Sequence, residues 1–240
     1  MNEFSRKSSV EKIAGRFDHD VERFSNLESG QQTTIDATVH MDLITDSIVA
    51  LHPELQTVLD VGCGAGNYTL KLLSKRAPLD CTLVDLSLPM LQRAKERIEK
   101  VNSGSVNTVH GDIRLAELKV NHYDAIMAAA VLHHLRDDED WEHVFTRLYR
   151  LLKPGGSLWI SDLTVQQTPA IQRLIYEKRF GDYLVRLGDE AYKRKVFAYI
   201  EEEDSPRSVN YQMKLLERTG FRTVELLHKN LCFASFGAIK

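Results

Sequence analysis

Hydrophobic and polar positions follow two rhythms along this chain. From 34 to 51, Ile35, Val39, Leu43, Ile44, Ile48 and Leu51 recur at steps of three and four, and Pro53 follows. That spacing predicts an amphipathic helix with one apolar face, ended by the proline. Shorter apolar runs come next, at 57–61, 81–84 (closing on Asp85), 106–109, 124–128 and 157–161. Each is short and bounded by turn residues, so each predicts a strand. Helical patterns separate them at 67–76, at 88–98 behind Ser87 as N-cap, and at 141–152. Lys153-Pro154-Gly155-Gly156 reads as a turn. Strands alternating with helices imply right-handed crossovers and a parallel sheet.

The end of the chain departs from this alternation. Two β-rich runs, 221–228 and 231–239, are joined only by Lys229-Asn230, which predicts an antiparallel hairpin. Between 163 and 220 the chain is too long for a simple crossover. It holds a helical stretch at 171–187, the aromatics Tyr176, Phe180, Tyr183, Tyr192, Phe197 and Tyr199, and the run Glu201-Glu202-Glu203-Asp204 before Pro206, which is read as a break. Ser208 caps a last helix, 209–218, stopped by Gly220. Residues 1–30 are polar with sparse apolar positions, and read as an arm that folds over something. The expected division is an arm or lid at 1–33, a core at 34–162, an inserted helical cover at 163–220 and a hairpin completing the sheet at 221–240.

Composition narrows the classes. The 240 residues are 43% hydrophobic, enough for a substantial core in one domain with a cap. A net charge of -3 argues against general affinity for nucleic acid. No apolar run is long enough to span a membrane. The N-terminus shows no apolar leader, and Cys63, Cys81 and Cys232 are scattered and odd in number. A reducing, cytoplasmic setting is therefore expected. A homodimer is left open.

The candidate chemistry gathers at Asp60-Val61-Gly62-Cys63-Gly64-Ala65-Gly66, where the first strand breaks into three glycines before a helix. Glycines at a strand's C-terminal end let a ligand lie on the backbone. The spacing Asp-x-Gly-x-Gly-x-Gly differs from the Gly-x-Gly-x-x-Gly of dinucleotide sites. It resembles the first motif of the class I S-adenosylmethionine (SAM) methyltransferases. That resemblance covers roughly 40–165 and the terminal hairpin, and every later motif falls at the end of an expected strand. It implies an α/β fold: a seven-stranded, mostly parallel sheet with an antiparallel C-terminal strand and a small helical cover. It also implies SAM as cofactor, with S-adenosylhomocysteine as product. Gly62, Cys63, Gly64 and Gly66 would cradle the ribose and methionine parts, and Asp60 would orient loop amides or bind the amine. Asp85 would accept both ribose hydroxyls. Asp112, between Gly111 and Ile113, would accept the adenine amine, with Ile113, Leu86 and Met90 against the ring. Ala129, directly after strand four, joins this set. Phe17 and its neighbours Arg16 and Asp18 are candidates to close over the cofactor.

His133 and His134 follow strand four, where the family places substrate-facing groups, so they are the catalytic candidates. The strand-end acids serve the cofactor, and no second cluster offers the oxygens a magnesium ion wants, so no metal is expected. The expected reaction is methyl transfer to a small molecule. A second resemblance joins both ends of the chain, through Arg16-Phe17-Asp18, Lys193-Arg194 and Cys232-Phe233-Ala234-Ser235-Phe236-Gly237. It is to the carboxy-SAM synthases, in which an arginine aligned with Arg194 holds the new carboxylate. Those enzymes have serine where this chain has Gly64, and lack the His-His pair. The resemblance adds Arg194 as a catalytic candidate and a carboxylate-bearing substrate as its partner. Carboxy-SAM synthesis, and a non-catalytic SAM-binding subunit, are the two alternatives.

Overall fold

The computed structural model describes residues 7–26 and 30–240; residues 1–6 and 27–29 of the expected arm lie outside the described residues. Seven strands form one sheet in the order β3-β2-β1-β4-β5-β7-β6. They are β1 (Thr57–Val61), β2 (Asp80–Asp85), β3 (Val106–His110), β4 (Tyr123–Ala129), β5 (Leu152–Leu163), β6 (Thr223–Asn230) and β7 (Phe233–Ile239). The first five run parallel. β7 lies antiparallel between β5 and β6. This is the class I methyltransferase sheet expected from the sequence.

Both faces of the sheet are covered, which is why β1 is buried at every position instead of alternating. On one face, Ile44 and Ile48 of α3 (Ala37–Leu51), Leu72 of α4 (Asn67–Leu73) and Ala94 and Ile98 of α5 (Leu88–Glu99) share a core with Val58, Leu83 and Met127. On the other, Trp141, Phe145 and Leu148 of α6 (Asp138–Leu151) and Leu216 of α10 (Val209–Thr219) pack with Ile126, Ile160 and Phe236. Ser87 and Ser208 cap α5 and α10, each accepting a bond from a backbone N–H in the first turn, and Gly220 ends α10 at φ 113°.

A third core lies beyond the sheet's C-terminal edge. α7 (Pro169–Gln172), a π-helical turn (Arg173–Phe180), α8 (Gly181–Leu187) and α9 (Glu190–Glu203) bury Phe180, Leu184, Val196 and Ile200 against Leu163 and Phe233. The arm, α1 (Val10–Asp18) and α2 (Val21–Ser25), bridges this cover and the sheet. Ile13 is buried, the Ser8 amide donates to the Glu202 carbonyl, and Arg136 donates to the Ser8 carbonyl.

Three local expectations are corrected. Residues 153–156 are not a turn but part of β5, because the Gly155 and Gly156 backbones pair with Lys240 at the end of β7. The hairpin turns at Leu231-Cys232, two residues later than the loop signal suggested. His228 and Asn230 both bind the Asp36 carboxylate, which holds them in β6, and Leu231 takes the positive φ of 51°. The acidic run at 201–203 does not break the helix but forms its last turn. Carboxylates there oppose the helix dipole; Lys12 and Arg16 of the arm supply the compensating charge to Glu202 and Glu203.

Candidate active site

β1 and β4 are neighbours, and the chain leaves them in opposite directions across the sheet. In an open α/β sheet such a switch point opens a crevice at the strands' carboxyl ends. Here the crevice is one continuous cavity between the glycine loop, the turn after β4, the arm and the cover.

The glycine loop forms its near side. Gly62 has φ 64°, and a Cβ there would lie 2.4 Å from Val131, so this position admits no side chain. Gly66 packs between Ala94 and Ile98, letting α4 start against α5. The Gly62 and Cys63 amides donate to the Val84 carbonyl, which ties the loop to β2. Asp85 completes the tie. Its carboxylate accepts from the Gly64 amide at 2.8 Å and from the Ser87 amide at 2.9 Å. Burial pushes the Asp85 carboxyl above the usual range, against the pull of these N–H groups. Asp60 accepts from the Thr69 hydroxyl at 2.7 Å. Its pKa is pushed up to about 7 by burial, with Asp85 adding and Thr69 opposing. Two desolvated carboxyls on one side of a cavity suit a cationic ligand.

Asp60, Gly62, Cys63, Gly64, Asp85, Leu86, Met90 and Ala129 all line the cavity; Gly66 sits just behind it. Gly111, Asp112 and Ile113 line a side recess, which shares Gly62, Asp85, Leu86, Val131 and His134 with the main cavity. Val10 and Ile13 of the arm roof it. The recess is where a ring reaching past Asp85 would sit. Asp112 is engaged there already: Arg114 clasps both its oxygens and also binds Asp140. Burial opposes ionisation of Asp112, but Arg114 outweighs it and lowers the pKa.

The far side is polar and enclosed. After β4 the chain passes Ala130, at φ 53°, into a single 3-10 turn, Leu132–His134. The Asp162 carboxylate, at the end of β5, accepts from the His133 amide at 3.0 Å, from the Leu163 amide at 2.8 Å and from His133 Nδ1. Asp204, just beyond α9, comes in from the cover. Its Oδ1 lies 3.2 Å from His134 Nδ1 and 3.7 Å from His133 Nε2. Burial disfavours charge on His133, but Asp162 and Asp204 outweigh it and push the pKa up to about 9. His134 goes the other way: burial and the charge on His133 hold it below the usual imidazole value, against Asp204. Phe17 meets the His134 ring edge-on. Arg16 stacks on Phe17 and Tyr199 while pairing with Glu203.

The structure therefore brings His133 and His134 to the cavity with the glycine loop. Arg194 is not brought there. α9 buries Val196, Ile200 and Glu203, and Arg194, two residues before Val196, falls on the opposite, exposed face. Asp162 and Asp204 escaped the sequence reading. Asp162 carried a usable signal, an acid at the C-terminal end of a strand, as at Asp85. Asp204 carried none, because its place depends on the path of the cover.

Residues 58–156 match the family described as a methyltransferase domain. An uncharacterized methyltransferase of Mycobacterium tuberculosis is 38% identical over 51% of this chain and 57% of its own length. The chain thus spans little more than half of that relative. A carboxy-S-adenosyl-L-methionine synthase of Desulfotalea psychrophila is 30% identical over 78% of this chain and 76% of its own. Among solved structures, phosphoethanolamine N-methyltransferase 2 of Haemonchus contortus, in complex with SAM, superposes with a TM-score of 0.68. It is 17% identical and covers 97% of this chain and 60% of its own. Sheet order, glycine loop and relatives agree: the chain belongs to the class I SAM-dependent methyltransferase family.

Proposed function

We propose that this chain transfers the methyl group of SAM to a small-molecule acceptor bound in the same cavity. The observation that carries the reading is that one cavity holds both the glycine loop with Asp85 and the wall of His133, His134 and Asp204. The Asp112 recess adjoins it, the two sharing Gly62, Asp85, Leu86, Val131 and His134 as walls. Laid along it, the adenine enters the recess, the ribose hydroxyls meet Asp85, and the amino-acid tail meets the loop near Asp60. The sulfonium then faces the histidine wall. SAM carries its own leaving group, so the protein's part is alignment and exclusion of water. The arm and the cover close the site, and the polar wall receives the acceptor's nucleophilic atom.

Carboxy-SAM synthesis is the second reading, favoured by relatives that align over three quarters of both chains. The exposed position of Arg194 weighs against it within one chain. Incubation of the purified protein with methyl-labelled SAM and a small-molecule extract separates the two. Methyl transfer puts the label in a new compound and yields an equal amount of S-adenosylhomocysteine. Carboxy-SAM synthesis keeps the label in the adenosyl product, and consumption of SAM by neither route would overturn the proposal.

A further inference from the structure

The cavity's far wall concentrates buried polar atoms whose hydrogen-bonding capacity is poorly met. Asp204 Oδ1 lies 3.2 Å from His134 Nδ1, but without the geometry of a hydrogen bond, and His134 Nε2 has no hydrogen-bond partner among the described residues. The Asp204 side chain is 1% exposed. Buried groups without well-formed hydrogen bonds are costly, a charged one most of all. They are also aimed at one another. One ligand atom from each of His133, His134 and Asp204 lies within 4.8 Å of those of the other two.

We infer that His133, His134 and Asp204 form a binding site for a divalent transition-metal ion. Two imidazoles and one carboxylate are the donor set that zinc, cobalt or iron(II) takes, whereas magnesium and calcium prefer all-oxygen sites. Ligands about 2.0–2.1 Å from a tetrahedral zinc stand roughly 3.3 Å apart. The two approaches to Asp204 are 3.2 and 3.7 Å, and with all three ligand atoms within 4.8 Å a small side-chain adjustment closes the set around an ion. His133 is prepared for the role. Asp162 accepts from its Nδ1, which leaves Nε2 as the ligating atom and fixes the ring. A carboxylate behind a histidine is the usual support of a metal-bound imidazole. Asp162 is itself anchored by two backbone amides, so this support is rigid.

Three protein ligands leave at least one position open, and all three residues line the main cavity. That position faces the space assigned above to the acceptor. The ion would therefore bind the acceptor's oxygen, nitrogen or sulfur directly and lower its pKa, so that its proton is released to solvent water before the methyl group is transferred. This last step rests on the methyl-transfer reading; the metal site itself does not.

The site is tested on the 240-residue chain, stripped with a chelator and titrated with Co²⁺ alone. The expected result is one Co²⁺ per chain, with a visible ligand-field band that Zn²⁺ displaces. Asp204→Asn keeps the shape of the side chain, and His134→Ala removes a partly accessible ring. Each should weaken Co²⁺ by about 100-fold or more, beyond the 10–100-fold typical of losing a supporting residue. Asp162→Asn should fall within that smaller range. His143→Ala, on the surface of α6, should change nothing. Melting temperatures without metal show whether each variant is folded, and SAM binding is measured in parallel. Absence of the band from folded wild-type protein overturns the site, as does a band that survives both Asp204→Asn and His134→Ala. SAM binding without Co²⁺ binding removes the metal and leaves the proposed function. Co²⁺ binding without SAM binding does the reverse.

Discussion

Asp85 pins the Gly64 amide of the loop. In the proposed function the same carboxylate also receives the ribose hydroxyls. Asp85→Ala should therefore weaken SAM by about 2–3 kcal/mol, the scale of a lost bond to a charged group. Calorimetric titration measures it, and an unchanged dissociation constant would move the ribose elsewhere. Asp60 gives a pH signature. Its folded pKa is raised to about 7, so the folded state holds the proton more tightly than the unfolded chain. Its stabilising contribution is full below about pH 4, the unfolded value, and is lost as pH rises through about 7. Urea unfolding of Asp60→Asn against wild type, across that window, should show the difference between them changing with pH by up to one proton's worth. Parallel curves would mean that Asp60 is ionised throughout. Asp85, Asp60 and the glycines were legible in the sequence, because a strand end followed by glycine or acid forces a group into the crevice. Asp204 was not, since nothing local distinguishes it from a helix-terminating acid. Arg194 misled because aromatic neighbours in sequence point to different faces of a helix.

At the scale of elements, the arm holds the site closed by few contacts. α1 is capped by Ser9, tied to α5 through Asp18 and the Ser87 hydroxyl, and paired to the cover by Arg16 with Glu203. Glu203 is nearly buried, so Arg16→Ala strands a carboxylate and lowers the free energy of arm opening. Hydrogen exchange across residues 10–18 should speed by about 10–100-fold, the equivalent of one charge-assisted bond. Exchange in β1 and β4 should not change. Equal acceleration in both would show that the arm unfolds only with the core. β7 tests the sheet's packing. A Cβ on Gly237 would lie 2.2 Å from the Trp159 ring on β5. Gly237→Ala should cost about 1–3 kcal/mol by overpacking, read as a lower denaturation midpoint. No change would mean that the ring moves aside freely. The hairpin was legible from its β-rich runs and short link. Its turn was not, because Asp36, distant in sequence, decides how far β6 extends.

For the whole molecule, burial on both faces of the sheet directs ligand binding to the crevice at the strands' C-terminal ends. The cover and arm wall that crevice, and the proposed function puts cofactor and acceptor together in it. Among the described residues no helix is long and apolar enough to cross a membrane. Alternating strands and helices made the parallel sheet legible, since a strand–helix–strand unit closes by a right-handed crossover between parallel strands; the order of the strands was not read from the sequence. The closing elements were less legible: cover and arm meet through Arg16, Glu203, Asp204 and His133, residues from three separate parts of the chain. The most direct measurement is a crystal structure of the protein with S-adenosylhomocysteine. The account predicts the ribose hydroxyls within hydrogen-bonding distance of Asp85, the adenine in the recess beside Ile113, and the sulfur directed at His133, His134 and Asp204. A ligand bound outside this cavity, or inside it with the sulfur turned away from that wall, would contradict it.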